Sequence, residues 1–349
     1  MKLLSVGNFS KGEQPGYRAN AFGRIDGIDL QIVDLATDIG SRIPALFQSI
    51  AWRLGRPFDT HQLNARVGEA IDSFEPDVLL CESAVLLKAE TLRKAKAKGA
   101  KIVGSSQDYV TARHNTNRWQ NAAFPYVDLF FTTKTFGVRE LEATGVGRVE
   151  LVNNTFEPEV HRPLSPEAVG DEYEAFDCVF VGTFERDRAQ SLRKLADAGM
   201  SVLIQGNAAG RLAGGWEALD HPLITRRPAA RQIEYTKALH RGKVALCFLR
   251  KLNRDQITCR SIEIPAMARP MLAEKTAEHD AQFVDGEEYV GFTSDTEMVA
   301  AARRLVDDAR LRQSIGTAGR QRCLDDELDN ASLVRRMLDV MRDEFPDLA

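Results

Sequence analysis

Between Asp255 and Phe292 the chain reads DQITCRSIEIPAMARPMLAEKTAEHDAQFVDGEEYVGF, and its charged residues fall where a ligand that is anionic at one end and hydroxyl-rich at the other would need them. A helix starting near Thr258 aims its first amide N–H groups out of its N-terminus, where they and the helix dipole favour an anion. Arg260 stands in the first turn, and a guanidinium adds charge-assisted hydrogen bonds to a phosphate. Asp255 and Glu263 flank that turn with carboxylates that accept hydrogen bonds from hydroxyl groups. His279, in AEHDAQF, has two readings: a phosphate or ribose contact, or a loop histidine satisfied locally.

Three further loops carry polar side chains at apolar strand exits. QDYVTARHN follows the apolar run 101–103, placing Asp108 and His114 where they can contact or orient a hydroxyl. The plainer readings stand beside that one, Asp108 as a loop cap and His114 as a helix-start residue bonded to backbone. Gly182 closes the run 177–181 and leads through TFERDR into a helix, the arrangement of an anion-binding loop and equally of a sharp strand-to-helix turn. The G-x-G-x-x-G spacing of dinucleotide loops is absent after Val6 and after Val181. In the opening loop Tyr17 and Arg18 read as a clamp for a hydroxylated or anionic group, or as the end of a turn at Pro15-Gly16.

The elements that must position these residues alternate between two periods. Short apolar runs at 3–6, 30–33, 78–81, 101–103, 129–132 and 149–151 are separated by helical patterns at 42–53, 62–74, 89–98 and 136–143. Continuous apolar strands joined by helices predict a mainly parallel sheet covered on both faces. Right-handed crossovers then gather the loops at the strands' carboxyl ends along one edge. The pattern returns at 177–181, 202–204, Ile224, 244–248, 270–273 and 289–292, with a helix at 233–239. Between the halves, EPEVHRPLSPEAVGDEY is rich in proline and acids and marks a boundary, and 349 residues suffice for two cores.

The stretch IEIPAMARP resembles the C-terminal domain of the GT-B type glycosyltransferases, in particular their CgeB-like, spore-maturation branch. In many retaining members of that family two acids separated by seven residues contact the donor, the second opening Glu-Ala-Met-Ala-x-Gly-x-Pro. Glu263 matches the second acid, Asp255 stands eight positions earlier in place of a glutamate, and Ala268 replaces the glycine. DLFFTTKTFGVRELEATGVGRVELVNNTFEPEVHRPL resembles the family's exit from its first domain, ending in a linker at Asn154 to Pro163.

The resemblance implies a GT-B fold, an α/β architecture of two facing Rossmann-like domains with mainly parallel sheets and an interdomain cleft. It implies an acceptor-binding domain at 1–160, a linker at 161–174 and a nucleotide-sugar-binding domain at 175–349, with the terminal helix 333–342 returning to brace the first. Glu263 is then the ribose ligand and Asp255 orients the sugar. Arg260, Gly182, Arg186 and Arg188 line the diphosphate side, and Asp108 and His114 address the acceptor. The implied activity is transfer of a glycosyl group from a UDP- or GDP-sugar to a hydroxyl-bearing acceptor, with retention favoured and no cofactor beyond the nucleotide-sugar cosubstrate. Two alternatives remain: a noncatalytic sugar-nucleotide sensor or assembly protein, for which Asp255 and Ala268 give the foothold, and a nucleotide-sugar epimerase or phosphorylase.

Composition narrows the rest. With 46 basic and 50 acidic residues the net charge is −4, which offers no field for nucleic acid. Cys81, Cys178, Cys247, Cys259 and Cys323 are scattered, a usage that fits a reducing cytoplasm. MKLLSVGNF is too short an apolar run for a signal peptide or a membrane span and reads as a first buried strand. The six histidines include no H-E-x-x-H pair, so the leaving phosphate is expected to rely on arginine and helix dipole rather than on a metal. No G-x-S-x-G elbow occurs.

Overall fold

The computed structural model describes the chain except residues 11, 36–44, 56, 60, 84–85, 207–214 and 349. Positions 42–44 of the helix expected at 42–53 therefore lie outside the described residues. Two compact units emerge, Met1–Asn153 with Asn330–Ala349, and Asn154–Asp329.

The first unit contains β1 (Lys2–Gly7), α1 (Gln14–Phe22), β2 (Asp29–Asp34), α2 (Ala45–Arg53), α3 (Leu63–Phe74), β3 (Val78–Glu82), α4 (Ala89–Ala97), β4 (Lys101–Ser106), α5 (Arg118–Ala123), β5 (Leu129–Thr132), α6 (Gly137–Glu142) and β6 (Arg148–Leu151). Its strands form one parallel sheet in the order β2-β1-β3-β4-β5-β6. Successive side chains leave a strand on opposite faces, so the apolar pairs feed two cores. Leu4, Leu79 and Ile102 meet Val67, Ile71 and Leu92 of α3 and α4. Leu3, Leu80 and Val103 meet Phe22 of α1 and the C-terminal helix Asn330–Glu344. That helix buries Leu333, Val334, Met337, Leu338 and Met341, a stripe at helical spacing, and each such burial contributes about 1.5–3 kcal/mol. Arg148 adds ion pairs to Asp343 and Glu344 near its end.

The second unit contains α7 (Pro166–Val169), β7 (Phe176–Val181), α8 (Arg186–Asp197), β8 (Val202–Gln205), β9 (Ile224–Arg227), α9 (Ile233–His240), β10 (Gly242–Cys247), α10 (Cys259–Ala266), β11 (Met271–Glu274), α11 (Ala277–Gln282), β12 (Val290–Phe292), α12 (Asp295–Asp307) and α13 (Ala309–Asp325). The sheet order is β12-β11-β10-β7-β8-β9, again all parallel. One face packs Phe180, Phe248 and Phe292 against α8 and α12, and the other packs Val179, Ala245 and Cys247 with residues of α9 and α10. The expected strands are all present, and the α/β class with two parallel sheets is the observed one.

In each unit the strand order reverses next to the first strand, between β1 and β3 and between β7 and β10. The loops that follow those strands diverge to opposite faces and leave a crevice at the carboxyl edge, where open α/β sheets bind ligands. Among the described residues, no helix is long and apolar enough to cross a membrane.

Candidate functional site

In the second unit the crevice lies between α8, which follows β7, and α10, which follows β10. Thr258 caps α10 with extended backbone, and its N–H donates to Ser261 Oγ at 3.1 Å. Pro265 lies in the last turn of α10 and contributes no N–H to its hydrogen-bond ladder. The helix begins at the crevice and buries Ser261 to Ala266 behind it.

Around this N-terminus, buried donors collect that make no hydrogen bond. Arg260 Nε, Arg188 Nε and Asn154 Nδ2 are all buried and make no hydrogen bond, although Arg188 Nε has the Glu185 carboxylate 3.7 Å away as an ion-pair partner. Cys259, the first residue of α10, donates its thiol proton to Asn154 Oδ1 at 3.5 Å, which fixes Asn154 beside the helix start. The Arg188 side chain is 10% exposed, lies over the Phe180 ring and donates from Nη1 to the Thr183 carbonyl at 3.1 Å. Burial lowers its pKa; Glu185 opposes that shift and the Arg260 charge reinforces it. For Arg260 burial also opposes the charge, but anionic neighbours, Glu263 among them, outweigh it and its pKa rises. Two guanidinium groups that repel one another and keep unmet donors make a site suited to an anion. Beside Arg188, a cavity of about 570 Å³ lies at the carboxyl ends of β10 to β12, lined in part by Glu185, Lys251, Glu274 and Lys275. That volume is within the range of small-molecule sites, roughly 300–1,000 Å³.

Glu263 is 9% exposed and sits one turn beyond Arg260. Its Oε2 accepts from the Tyr235 hydroxyl at 2.8 Å. His161 Nδ1 accepts the Glu157 N–H at 2.9 Å, so the ring hydrogen resides on Nε2, which stands 3.9 Å from Glu263 Oε1. Burial lowers the His161 pKa, partly opposed by Glu263, and the imidazole is neutral. Burial and the neighbouring Glu263 raise the Tyr235 pKa well above its ordinary value, so the phenol keeps its proton.

The remaining residues singled out in the sequence are distributed as follows. Asp255 is half-buried in the loop before Thr258, with its N–H on the Arg250 carbonyl at 3.2 Å. Gly182 follows β7; its N–H donates to the Gln205 carbonyl and its own carbonyl accepts from Trp216 Nε1, so its backbone is committed to its neighbours. Arg186 opens α8 and is exposed, whereas Arg188 is held against the core. His279 is fully buried, with Nε2 on Ser261 Oγ at 2.7 Å and Nδ1 on the Glu274 carbonyl at 2.8 Å. One ring nitrogen thus braces α10 and the other the end of β11.

In the first unit Asp108 is exposed after β4, its N–H donating to Ser106 Oγ at 3.1 Å. His114 is half-buried, and its carbonyl accepts from Trp52 Nε1 at 3.2 Å. Arg18 departs from the clamp reading. Its side chain is 3% exposed and forks onto the buried Glu82, Nε to Oε1 at 2.8 Å and Nη2 to Oε2 at 2.6 Å. Among the described residues no group of three or more His, Cys, Asp or Glu side chains is arranged to hold a metal.

A sequence-family profile described as glycosyl transferase-like matches residues 186–339. No curated protein matches the sequence. Similar solved structures include a sucrose-phosphate synthase from Thermosynechococcus elongatus, 12% identical, with a TM-score of 0.69 over 99% of this chain and 100% of that one. Anabaena HepE in complex with UDP-glucose is also 12% identical, with a TM-score of 0.66 over 98% and 100%. A UDP-GlcNAc 2-epimerase from Neisseria meningitidis bound to UDP-GlcNAc is 10% identical, with a TM-score of 0.55 over 98% and 99%. At such identities the likeness is one of fold, and the chain has the two-Rossmann architecture of the GT-B type.

Proposed function

We propose that this protein is a nucleotide-sugar enzyme, and specifically a CgeB-like, metal-independent glycosyltransferase that moves a hexosyl group to a hydroxyl acceptor. The observation that carries the reading is the set of buried donors that make no hydrogen bond on Asn154 and Arg260 at the start of α10 and on Arg188 of α8. They suit the diphosphate of a donor. In transfer, the bond from the sugar's anomeric carbon to the diphosphate oxygen breaks and the acceptor oxygen bonds to that carbon. The acceptor hydroxyl passes its proton to the departing diphosphate, which leaves as the nucleoside diphosphate. Arg188, Arg260 and the α10 amides stabilise the charge that develops on the leaving group. Glu263 holds the ribose hydroxyls, Asp255 orients the sugar, and the exposed Arg186 approaches the phosphates from the start of α8. Gly182 lets the chain turn tightly beside them, while His279 acts through Ser261. In the first unit Asp108 and His114 contact the acceptor. Retention at the anomeric carbon is favoured by the resemblance to the acid-pair members of that family, and a cytoplasmic location suits the nucleotide-sugar supply.

The fold shared with a UDP-GlcNAc 2-epimerase supports a second reading, isomerisation of the donor alone. One experiment separates the two. The protein is incubated with a panel of UDP- and GDP-sugars and cell extract, with and without chelator, and products are followed by mass. Free nucleotide with a new glycosylated product, insensitive to chelator, is the expected result. An isomerised sugar nucleotide formed without any second substrate would replace transfer by epimerisation. Activity lost with chelator and restored by one divalent ion would overturn metal independence.

A further inference from the structure

The ribose reading of Glu263 leaves unexplained why its carboxylate is placed against two neutral, buried ring side chains from distant parts of the chain. Tyr235 belongs to α9, and His161 to the segment before α7 at the start of the second unit. α9 secures that segment at two points. Thr236 Oγ1 donates to the Val160 carbonyl at 2.7 Å, and His240 Nε2 accepts the Leu164 N–H at 3.1 Å. His161 then packs edge-on to Tyr235, with ring centroids 5.7 Å apart at 82°. The Tyr235 hydroxyl engages one carboxylate oxygen of Glu263, and the His161 N–H faces the other from 3.9 Å, beyond hydrogen-bonding distance.

We propose that Tyr235 and His161 are positioning residues that fix the Glu263 carboxylate for a ribose diol and thereby set the site's preference for ribonucleotides over nucleotides lacking those hydroxyls. The inference rests on the assignment of Glu263 to the ribose. A glutamate has three rotatable side-chain bonds, and holding it in one rotamer before the ligand arrives removes an ordering penalty from binding. Tyr235 supplies the fixed hydrogen bond. His161 fills the space beside the second oxygen with an N–H, which holds the carboxylate in place electrostatically and at that distance does not bond to it. Neither ring needs to touch the ligand.

The test is calorimetric titration of the full chain with UDP and GDP, each against its 2′,3′-dideoxy counterpart. The parent is expected to bind the ribonucleotide of its preferred base at least about tenfold more tightly, the equivalent of roughly one hydrogen bond. Tyr235→Phe should collapse that ratio toward unity and leave the dideoxy affinity unchanged. Glu263→Gln combined with Tyr235→Phe should lose no more of the ratio than Glu263→Gln alone, because one residue acts through the other. His161→Phe, which retains the ring and removes the N–H, should reduce the ratio in the same direction. A Tyr235→Phe protein that keeps the full ratio, or loses affinity equally for both ligand forms, overturns the positioning role while sparing Glu263. A parent that does not distinguish the two forms overturns the ribose assignment and the inference together.

Discussion

Both units place an arginine at the crevice where their strand order reverses, and they treat it in opposite ways. In the first unit Arg18 is locked in a bidentate pair with Glu82, both side chains almost wholly buried. In the second, Arg188 and Arg260 sit within electrostatic range of each other and each keeps a buried Nε that makes no hydrogen bond. The same architecture therefore satisfies the arginine of one crevice from within and leaves buried guanidinium nitrogens without a hydrogen bond at the other.

The largest effect should come from opening the closed crevice. Glu82→Ala would leave Arg18 buried and uncompensated, and the loss of folding stability in urea titration is expected to be about 3–5 kcal/mol. Replacing both partners, Arg18→Met with Glu82→Leu, should recover most of it, since the penalty lies in the stranded charge. UDP affinity should stay at the parent value in both variants that remain folded, because this pair belongs to the other unit.

Acid should act on the second unit first. His161, His240 and His279 all belong to it, and burial lowers the pKa of each. For His240 the value falls from 6.5 to about 4. Its Nδ1–H donates to the Thr236 carbonyl while Nε2 accepts from Leu164, a pattern that only the neutral ring can make. A depressed folded-state pKa means the native state disfavours the proton that the unfolded chain takes up. The His240 contribution is therefore complete above about pH 6.5 and is lost as the pH falls toward about 4, on the order of 3 kcal/mol in all. Hydrogen exchange at pH 7 and pH 4.5 would locate the loss; protection lost first in the first unit would contradict it.

At the open crevice the expected loss is smaller and falls on binding. Arg260→Ala removes a charge-assisted hydrogen bond, about 1.5–3 kcal/mol, so UDP affinity should fall by roughly ten- to a hundredfold. Uridine, which lacks the phosphates, should bind as before. An equal loss for both would assign Arg260 to the packing of α10.

Much of this was legible before the structure. Buried parallel strands must be apolar throughout, so 78–81, 129–132 and 177–181 announced themselves, and a helix start at Thr258 placed Arg260 and Glu263 correctly on α10. The unreadable parts depend on partners remote in sequence. Glu82 is 64 positions from Arg18 and Tyr235 is 28 from Glu263, and no local pattern reports such pairs. Arg186 and Arg188 looked equivalent in GTFERDR, yet residues two apart on a helix point about 200° apart, so one reaches solvent and the other the core. The short helix α11 hid in the polar run AEHDAQ, where the cap Thr276, which accepts the His279 N–H, outweighs the absence of an apolar stripe.

The smallest expected effect tests how α10 ends. Ala268 follows the helix cap with φ +55°, the left-handed conformation that a side chain resists, at the position where the family pattern has glycine. Its N–H returns to the Pro265 carbonyl at 2.7 Å, and its own carbonyl packs against Gly316 of α13, where an added Cβ would come within 2.3 Å. The backbone is thus held from both sides and cannot relax out of that conformation. Ala268→Gly removes a strain of about 1–2 kcal/mol but gives the unfolded chain extra freedom worth about 0.4–1 kcal/mol. The net expectation is a gain of roughly 0.5–1 kcal/mol, read as a higher urea midpoint with an unchanged slope. Nucleotide affinity should not move, because the substitution lies at the end of α10 away from Arg260. A lower midpoint would show that the alanine methyl contributes more by packing than it loses in backbone strain. Altered affinity would show that the far end of α10 also sets the geometry of the open crevice.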